Sequence, residues 1–314
     1  MTSRISPVLF LDGGLGTSLE DKYRLDFSKD TPLWSSHLLV TDPETLRSCQ
    51  RDFGQVPVDI LLTATYQISV EAFARTETPT HPNGIRRSDI PSFLDLAVSI
   101  AGRVKAPSAS IALSLGPYGA TMIPSQEYSG RYDVEHDSVE RLVEWHCDRL
   151  GLFAEVEQIC ARVDFLAFET VPRLDEIRAI RKLFARRPSS PELADNAGSL
   201  GNMPYWISCV FPGDDYTLPD GSSVDQVIGA LLDSENADHL PWGIGINCTR
   251  IAKIPQLVRM YESAVCKLAS AGQIKAWPSL VLYPDGTNGE VYDTVTKAWQ
   301  APDRSAVAER TGPW

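Results

Sequence analysis

The strongest constraint on the fold is a rhythm. Short, continuously apolar runs rich in β-formers alternate with longer amphipathic stretches. The strand candidates are Val8–Leu11, Val58–Ala64, Ser110–Leu115, Val163–Phe168, Tyr205–Phe211, Trp242–Ile246 and Ser279–Tyr283. Runs that are apolar throughout, rather than at every second position, are expected of parallel strands covered on both faces. Asp42-Pro43-Glu44 predicts a helix start, with Asp as N-cap, Pro at the first helical position and Glu in the first turn. Further helices are predicted near Ile90–Val104, Ser138–Cys160, Leu174–Phe184, Ser223–Leu232 and Ile254–Ala271. Repeated strand–helix–strand units give an α/β protein with a parallel sheet, either barrel or doubly wound. The 314 residues would hold a whole (β/α)8 barrel, which typically takes about 250.

Only seven strands are read, however. The stretch after Tyr283 is polar and rich in turn formers, with at most a short irregular piece at Glu290–Tyr292. The expectation is a single domain over residues 1–314, lacking strand eight and so incomplete at its C-terminal end. Arg187–Pro204, dense in Pro, Ser, Gly and Asn, reads as a surface insertion between a helix and the next strand. The strand–helix rhythm continues on both sides of it, so it is not a domain linker.

The 29 basic and 41 acidic residues give a net charge of −12. Such a surface repels phosphate backbones and anionic lipid, which argues against nucleic-acid or membrane partners. No apolar stretch is long enough to span a bilayer, and the N-terminus has no signal-peptide or transit pattern. Six cysteines spaced singly, without a CxxC pair, do not form a disulfide framework, so a cytoplasmic protein is expected.

Polar residues recur at the C-terminal ends of the predicted strands. Asp12-Gly13-Gly14 follows the first, Thr63-Ala64-Thr65-Tyr66 the second and Ser114-Leu115-Gly116-Pro117 the third. Glu169-Thr170 follows the fourth and Asn247-Cys248-Thr249 the sixth. In a parallel barrel these ends converge on one mouth, where sites are built. The GGLG stretch lacks the GxGxxG spacing of a dinucleotide site. Asp12 and Glu169 read either as N-caps of the following helices or as a paired clamp for a substrate ammonium group. Cys248 reads either as a small buried thiol or as a metal ligand, since no histidine sits at a strand end to activate it as a nucleophile. Gly243 and Gly245 leave the sixth strand room for close backbone approach. A barrel chemistry that uses Asp12 and Glu169 as acid and base is a further reading.

The ordered stretches LDGGLGTSLE (11–20), LWSSHLLVTDPETL (33–46), VDILLTATYQIS (58–69), SLGPYGA (114–120), EYSGRY (127–132), FETVP (168–172), GIGINCT (243–249) and LVLYPDGTNGEVYD (280–293) resemble the homocysteine S-methyltransferase family. That resemblance implies a TIM-type (β/α)8 barrel and methyl transfer to homocysteine to give methionine. Its stretches at ATYQ and SLGPYGA lean toward a sulfonium donor (S-methylmethionine or S-adenosylmethionine) rather than betaine. It also implies Zn2+ held by three thiolates, with Cys248 the first ligand. Asp12 and Glu169 would hold the homocysteine ammonium, Gly13 and Thr65 would line the amino-acid pocket, and Asn247 would support the site. The family's paired cysteines, in a GGCC motif on strand eight, are absent from this sequence. Weak zinc binding and little methyl transfer are therefore expected, and the alternative is a catalytically impaired homologue that keeps an amino-acid pocket or serves as an interaction protein. A barrel short of one strand would also leave open edges and favour self-association.

Overall fold

The computed structural model describes residues 7–28, 30–185, 200–232, 239–286, 291–293 and 298–300. Its centre is one parallel sheet of six strands: β1 Ile60–Leu62, β2 Ser110–Leu115, β3 Phe165–Val171, β4 Tyr205–Cys209, β5 Gly243–Arg250 and β6 Ser279–Asp285. The strands lie side by side in chain order, each joined to the next by an excursion over the outer face. This is the parallel half-barrel of a TIM-like α/β fold.

The continuous apolar runs divide by period two. Leu61, Leu113, Leu166, Ile207, Ile244 and Ile246 point outward into a core shared with the helices. Their neighbours Ile60, Ala112, Ala167, Trp206 and Val281 pack together on the inner face. Alternate side chains leave opposite faces of a strand, so a sheet buried on both faces needs apolar residues at every position. The outer layer includes Ile90–Val104, Val139–Ala154, Leu174–Ala185, Val224–Leu231 and Ile254–Ser270. The Asp42 cap forms as expected: its carboxylate accepts from the Thr45 N–H at 3.1 Å, with Pro43 in the first turn.

Three expectations are corrected. Val8–Leu11 is not a strand; it contributes one parallel bridge, Leu11 to Ile60, so the described sheet has six strands and not seven. Val8 and Phe10 remain exposed, and the Phe10 N–H is taken by the Asp59 carboxylate at 2.8 Å. The helix expected over Ser138–Cys160 ends at Ala154, and a short helix, Ile159–Arg162, follows Gln158. Gln158 adopts a left-handed conformation at φ 54°, which no α-helix accommodates. The segment after Tyr283 carries a small antiparallel pair, β7 Val291–Asp293 and β8 Ala298–Gln300. The expected piece at Glu290–Tyr292 thus overlaps β7. Most of the Arg187–Pro204 insertion lies outside the described residues.

Candidate active site

A cavity of about 2170 Å³ runs along the inner face of the sheet, from Trp206, Trp242 and Ser279 at the N-terminal ends of strands to Glu169, Asn247 and Cys248 at the C-terminal ends. Asp12, Gly13, Glu169, Asn247 and Cys248, expected from different segments of the sequence, all line it. Thr65 is not on its wall. The Thr65 hydroxyl is buried beneath it, donating to the Ser114 carbonyl at 2.8 Å and lying 2.6 Å from the Thr63 hydroxyl.

Neither acid caps a helix. The helix after Asp12 starts from Gly14 without a side-chain cap, and the one after Glu169 has its Leu174 N–H bound by Asp220. Asp12 instead accepts from the Leu62 N–H at 2.9 Å through Oδ2. Its Oδ1 is buried with no hydrogen-bond partner among the described residues. Glu169 is 5% exposed and accepts from the Ser114 hydroxyl at 2.5 Å. Burial, and after it the charge of Glu169, pushes the Asp12 carboxyl well above the usual carboxylate range. Burial pushes Glu169 up to about 7, against hydrogen bonds from Ser114 and Tyr283 and the pull of Arg149. Two desolvated carboxyls, one raised further by the other's charge and carrying an orphan acceptor, form a socket for a cation.

Beside the socket, β3 and β5 end in a strained pair of residues. Thr170 and Cys248 hold φ angles of 59° and 46°, a region that costs a non-glycine residue free energy and is rarer still for a β-branched one. Asn247 holds this geometry from between the strands. Its Oδ1 accepts from the Thr170 N–H at 2.8 Å, and its Nδ2 donates to the Thr170 hydroxyl at 2.7 Å and to the Cys248 sulfur at 3.4 Å. Gly245 permits the close packing of β5 on β6 anticipated from the sequence, since a Cβ there would lie 2.5 Å from the Val281 carbonyl. Burial raises the Cys248 thiol to about 11, although Thr170 and Tyr128 hydrogen-bond to it, so it stays protonated at neutral pH.

Of the three thiolates that the resemblance implies for zinc, one, Cys248, is present on the cavity wall. No group of three His, Cys, Asp or Glu side chains among the described residues is placed to hold a metal ion. Of the other cysteines, Cys209 is buried within β4 and Cys266 is exposed on the helix after β5. Cys248 offers a single thiol.

Several site residues carried no assigned role in the sequence reading. The connection after β2 places Glu127 and Tyr128 on the cavity wall, within electrostatic reach of Tyr66 from the end of β1. The Tyr128 hydroxyl hydrogen-bonds the Cys248 sulfur, and Tyr66 hydrogen-bonds Thr170. Behind this wall lies Arg149, 3% exposed, which donates to the carbonyls of Gly116, Thr65 and Tyr66 at 2.6, 3.2 and 2.5 Å. The fully buried Glu176 accepts from the Tyr118 N–H at 2.8 Å and from the Tyr132 hydroxyl, with His146 Nε2 at 2.9 Å. The available signal was an acid between polar and aromatic residues in a Gly- and Ser-containing loop, and an arginine on the apolar face of a helix.

A parallel α/β half-barrel with a buried acid pair and strained strand ends around one mouth defines an enzyme of the TIM-barrel type, with its site where that architecture puts it. The family model described as homocysteine S-methyltransferase matches residues 9–312, and the chain belongs to that family. Homocysteine S-methyltransferase YbgG of Bacillus subtilis is 28% identical, over 98% of this chain and 84% of that protein. The homocysteine S-methyltransferase of Escherichia coli is 27% identical over 93% and 81%. Betaine-homocysteine S-methyltransferase of Drosophila melanogaster is 29% identical over 96% and 85%. The crystal structure of the homocysteine methyltransferase MmuM from Escherichia coli, in its metallated form, superposes with a TM-score of 0.62 at 25% identity. It covers 93% of this chain and 88% of that one. All of these relatives are named methyltransferases, which gives no support to a non-catalytic reading.

Proposed function

We propose that this chain transfers a methyl group from a sulfonium donor, S-methylmethionine or S-adenosylmethionine, to the sulfur of homocysteine, giving methionine. The observation that carries the reading is the pairing of Asp12 and Glu169, two buried carboxyls with an unfilled acceptor between strand ends. An α-ammonium group supplies both the missing donor and the compensating charge, and Gly13 leaves that corner of the wall without a side chain.

With its ammonium so anchored, homocysteine's sulfur would lie toward Asn247 and Cys248, beside the strained backbone of Thr170. The reaction is an in-line displacement. The donor's C–S bond breaks with its electron pair retained by the donor sulfur, which becomes a neutral sulfide. The new bond forms from the homocysteine sulfur to the methyl carbon, and the thiol proton is released to solvent. Positioning two reactants this way is a large part of what an enzyme does for a bimolecular displacement. Zinc would bind the substrate sulfur and favour its thiolate. This chain's donor set supplies one thiol toward it, so no step is routed through the metal.

The test is isothermal titration with homocysteine at pH 8. The wild-type chain should bind it, and Glu169→Gln should weaken binding by at least about tenfold, as expected when a buried charge partner is removed. Equal affinity of the two proteins would refute the clamp.

A further inference from the structure

The acid pair is not the only carboxyl facing the cavity. Glu127 also lines it, in the connection after β2, with Oε2 accepting from the Ser125 hydroxyl at 2.6 Å. Around it the aromatic groups converge. Tyr66 and Tyr128 both sense its charge, and both are close enough to Cys248 to feel that thiol as well. Tyr128 hydrogen-bonds the Cys248 sulfur, and the residue, which lines the cavity, is 48% exposed. Asp285, at the end of β6, adds a further negative charge near Tyr128.

This arrangement differs in kind from the ammonium socket. Asp12 and Glu169 sit at strand ends, held by a backbone N–H and a serine hydroxyl. Glu127 sits in a loop next to Tyr128 and lines the same cavity as Tyr66, so a carboxyl that burial pushes up to about 7 lies within electrostatic reach of two aromatic groups and is ionised at pH 8. That combination suits a soft, poorly hydrated cation such as a sulfonium, which forms no hydrogen bonds and is recognised by charge and ring contact. The wall carrying it is held rigidly from behind, by Arg149 through the Tyr66 and Gly116 carbonyls and by Glu176 through Tyr132.

We infer that Glu127, flanked by Tyr66 and Tyr128, is the specificity-determining contact for the charged methyl donor, distinguishing the sulfonium substrate from the neutral sulfide it becomes. This deepens the proposed reaction and rests on it. Methyl transfer removes the donor's positive charge. The attraction to Glu127 is therefore present for the substrate and absent for the product, so the same contact favours donor binding and releases the spent sulfide. The contact acts on the donor's ground state, and its loss affects donor KM more than kcat.

The experiment compares two ligands that share an α-amino acid head and differ in sulfur charge, S-methylmethionine and methionine. Each is titrated calorimetrically at pH 8 into the full-length wild type, Glu127→Gln and Glu169→Gln. The wild type should prefer the sulfonium by about tenfold or more, a size typical of a partly desolvated charge contact. Glu127→Gln should bring that ratio near one while leaving methionine affinity within about twofold. Glu169→Gln should leave that ratio intact while losing affinity for homocysteine, the ligand of the acid pair. Glu127→Asp, which keeps the charge, should keep part of the preference and controls for a folding defect in the glutamine variant. A wild type without preference, or a preference that survives in Glu127→Gln, overturns the inference. An unchanged affinity of Glu169→Gln for homocysteine would instead count against the ammonium clamp, so the two readings fail separately.

Discussion

At the residue scale the site is governed by desolvated carboxyls. Glu169 ionises near 4.5 in an unfolded chain and at about 7 in the folded one. The folded protein therefore holds a proton that the unfolded chain has lost between those values. Stability falls as pH rises from about 4.5 to about 7, and remains lower above that. Glu169→Gln removes this cost, which is at most roughly 3 kcal/mol. In scanning calorimetry the variant should melt a few degrees above wild type at pH 8, with the gap closing toward pH 4.5. A gap of the same size at both pH values would show that ionisation is not its source. The same raised proton affinity links ligand binding to pH. An ammonium group binds the ionised pair, so homocysteine affinity should rise with pH through about 7 and binding at pH 6.5 should release protons. Titrations in two buffers of different ionisation enthalpy would measure that release, and a buffer-independent heat would contradict the linkage.

At the element scale, polar side chains tie the strand ends and loops together. Arg149 links the end of β1 to the connection after β2 through three carbonyls. Arg149→Ala would leave the buried Gly116 carbonyl without its donor, while the Tyr66 and Thr65 carbonyls keep the Gly116 and Ile68 N–H groups, at a cost of about 1–3 kcal/mol. Urea unfolding should show this as a lower midpoint at unchanged slope, whereas a loss below about 1 kcal/mol would mean that water replaces the guanidinium. The strands themselves were legible in the sequence because burial on both faces writes an unbroken apolar run. Asp12, Glu169, Asn247 and Cys248 were legible because they follow such runs directly. Val8–Leu11 misled for the same reason: it has the composition of a strand, yet only Leu11 finds a partner. Glu127, Tyr128 and Arg149 were not legible as site residues, because their positions depend on how a long connection folds back over the mouth. Local spacing does not encode that. Thr65 stands close in sequence to the cavity wall, but its side chain points into the layer beneath.

At the scale of the whole molecule, the described sheet ends at the Leu11 bridge on one side and β6 on the other. Leu280 and Leu282 on β6, with Val8 and Phe10 across the cavity, are exposed apolar side chains along these edges. Open edges with apolar side chains favour association. We expect sedimentation velocity to show concentration-dependent self-association that Leu282→Lys reduces, and a monomer at every concentration would contradict this. The central claim, however, concerns the chemistry at the mouth, where an anchored homocysteine meets a cationic methyl donor. Its most direct measurement is mass spectrometry of the products formed from homocysteine and S-methylmethionine carrying deuterated methyl groups. Deuteriomethyl methionine is expected above the protein-free background, and is lost in Glu169→Gln. Label transfer no greater than in the absence of protein would contradict it.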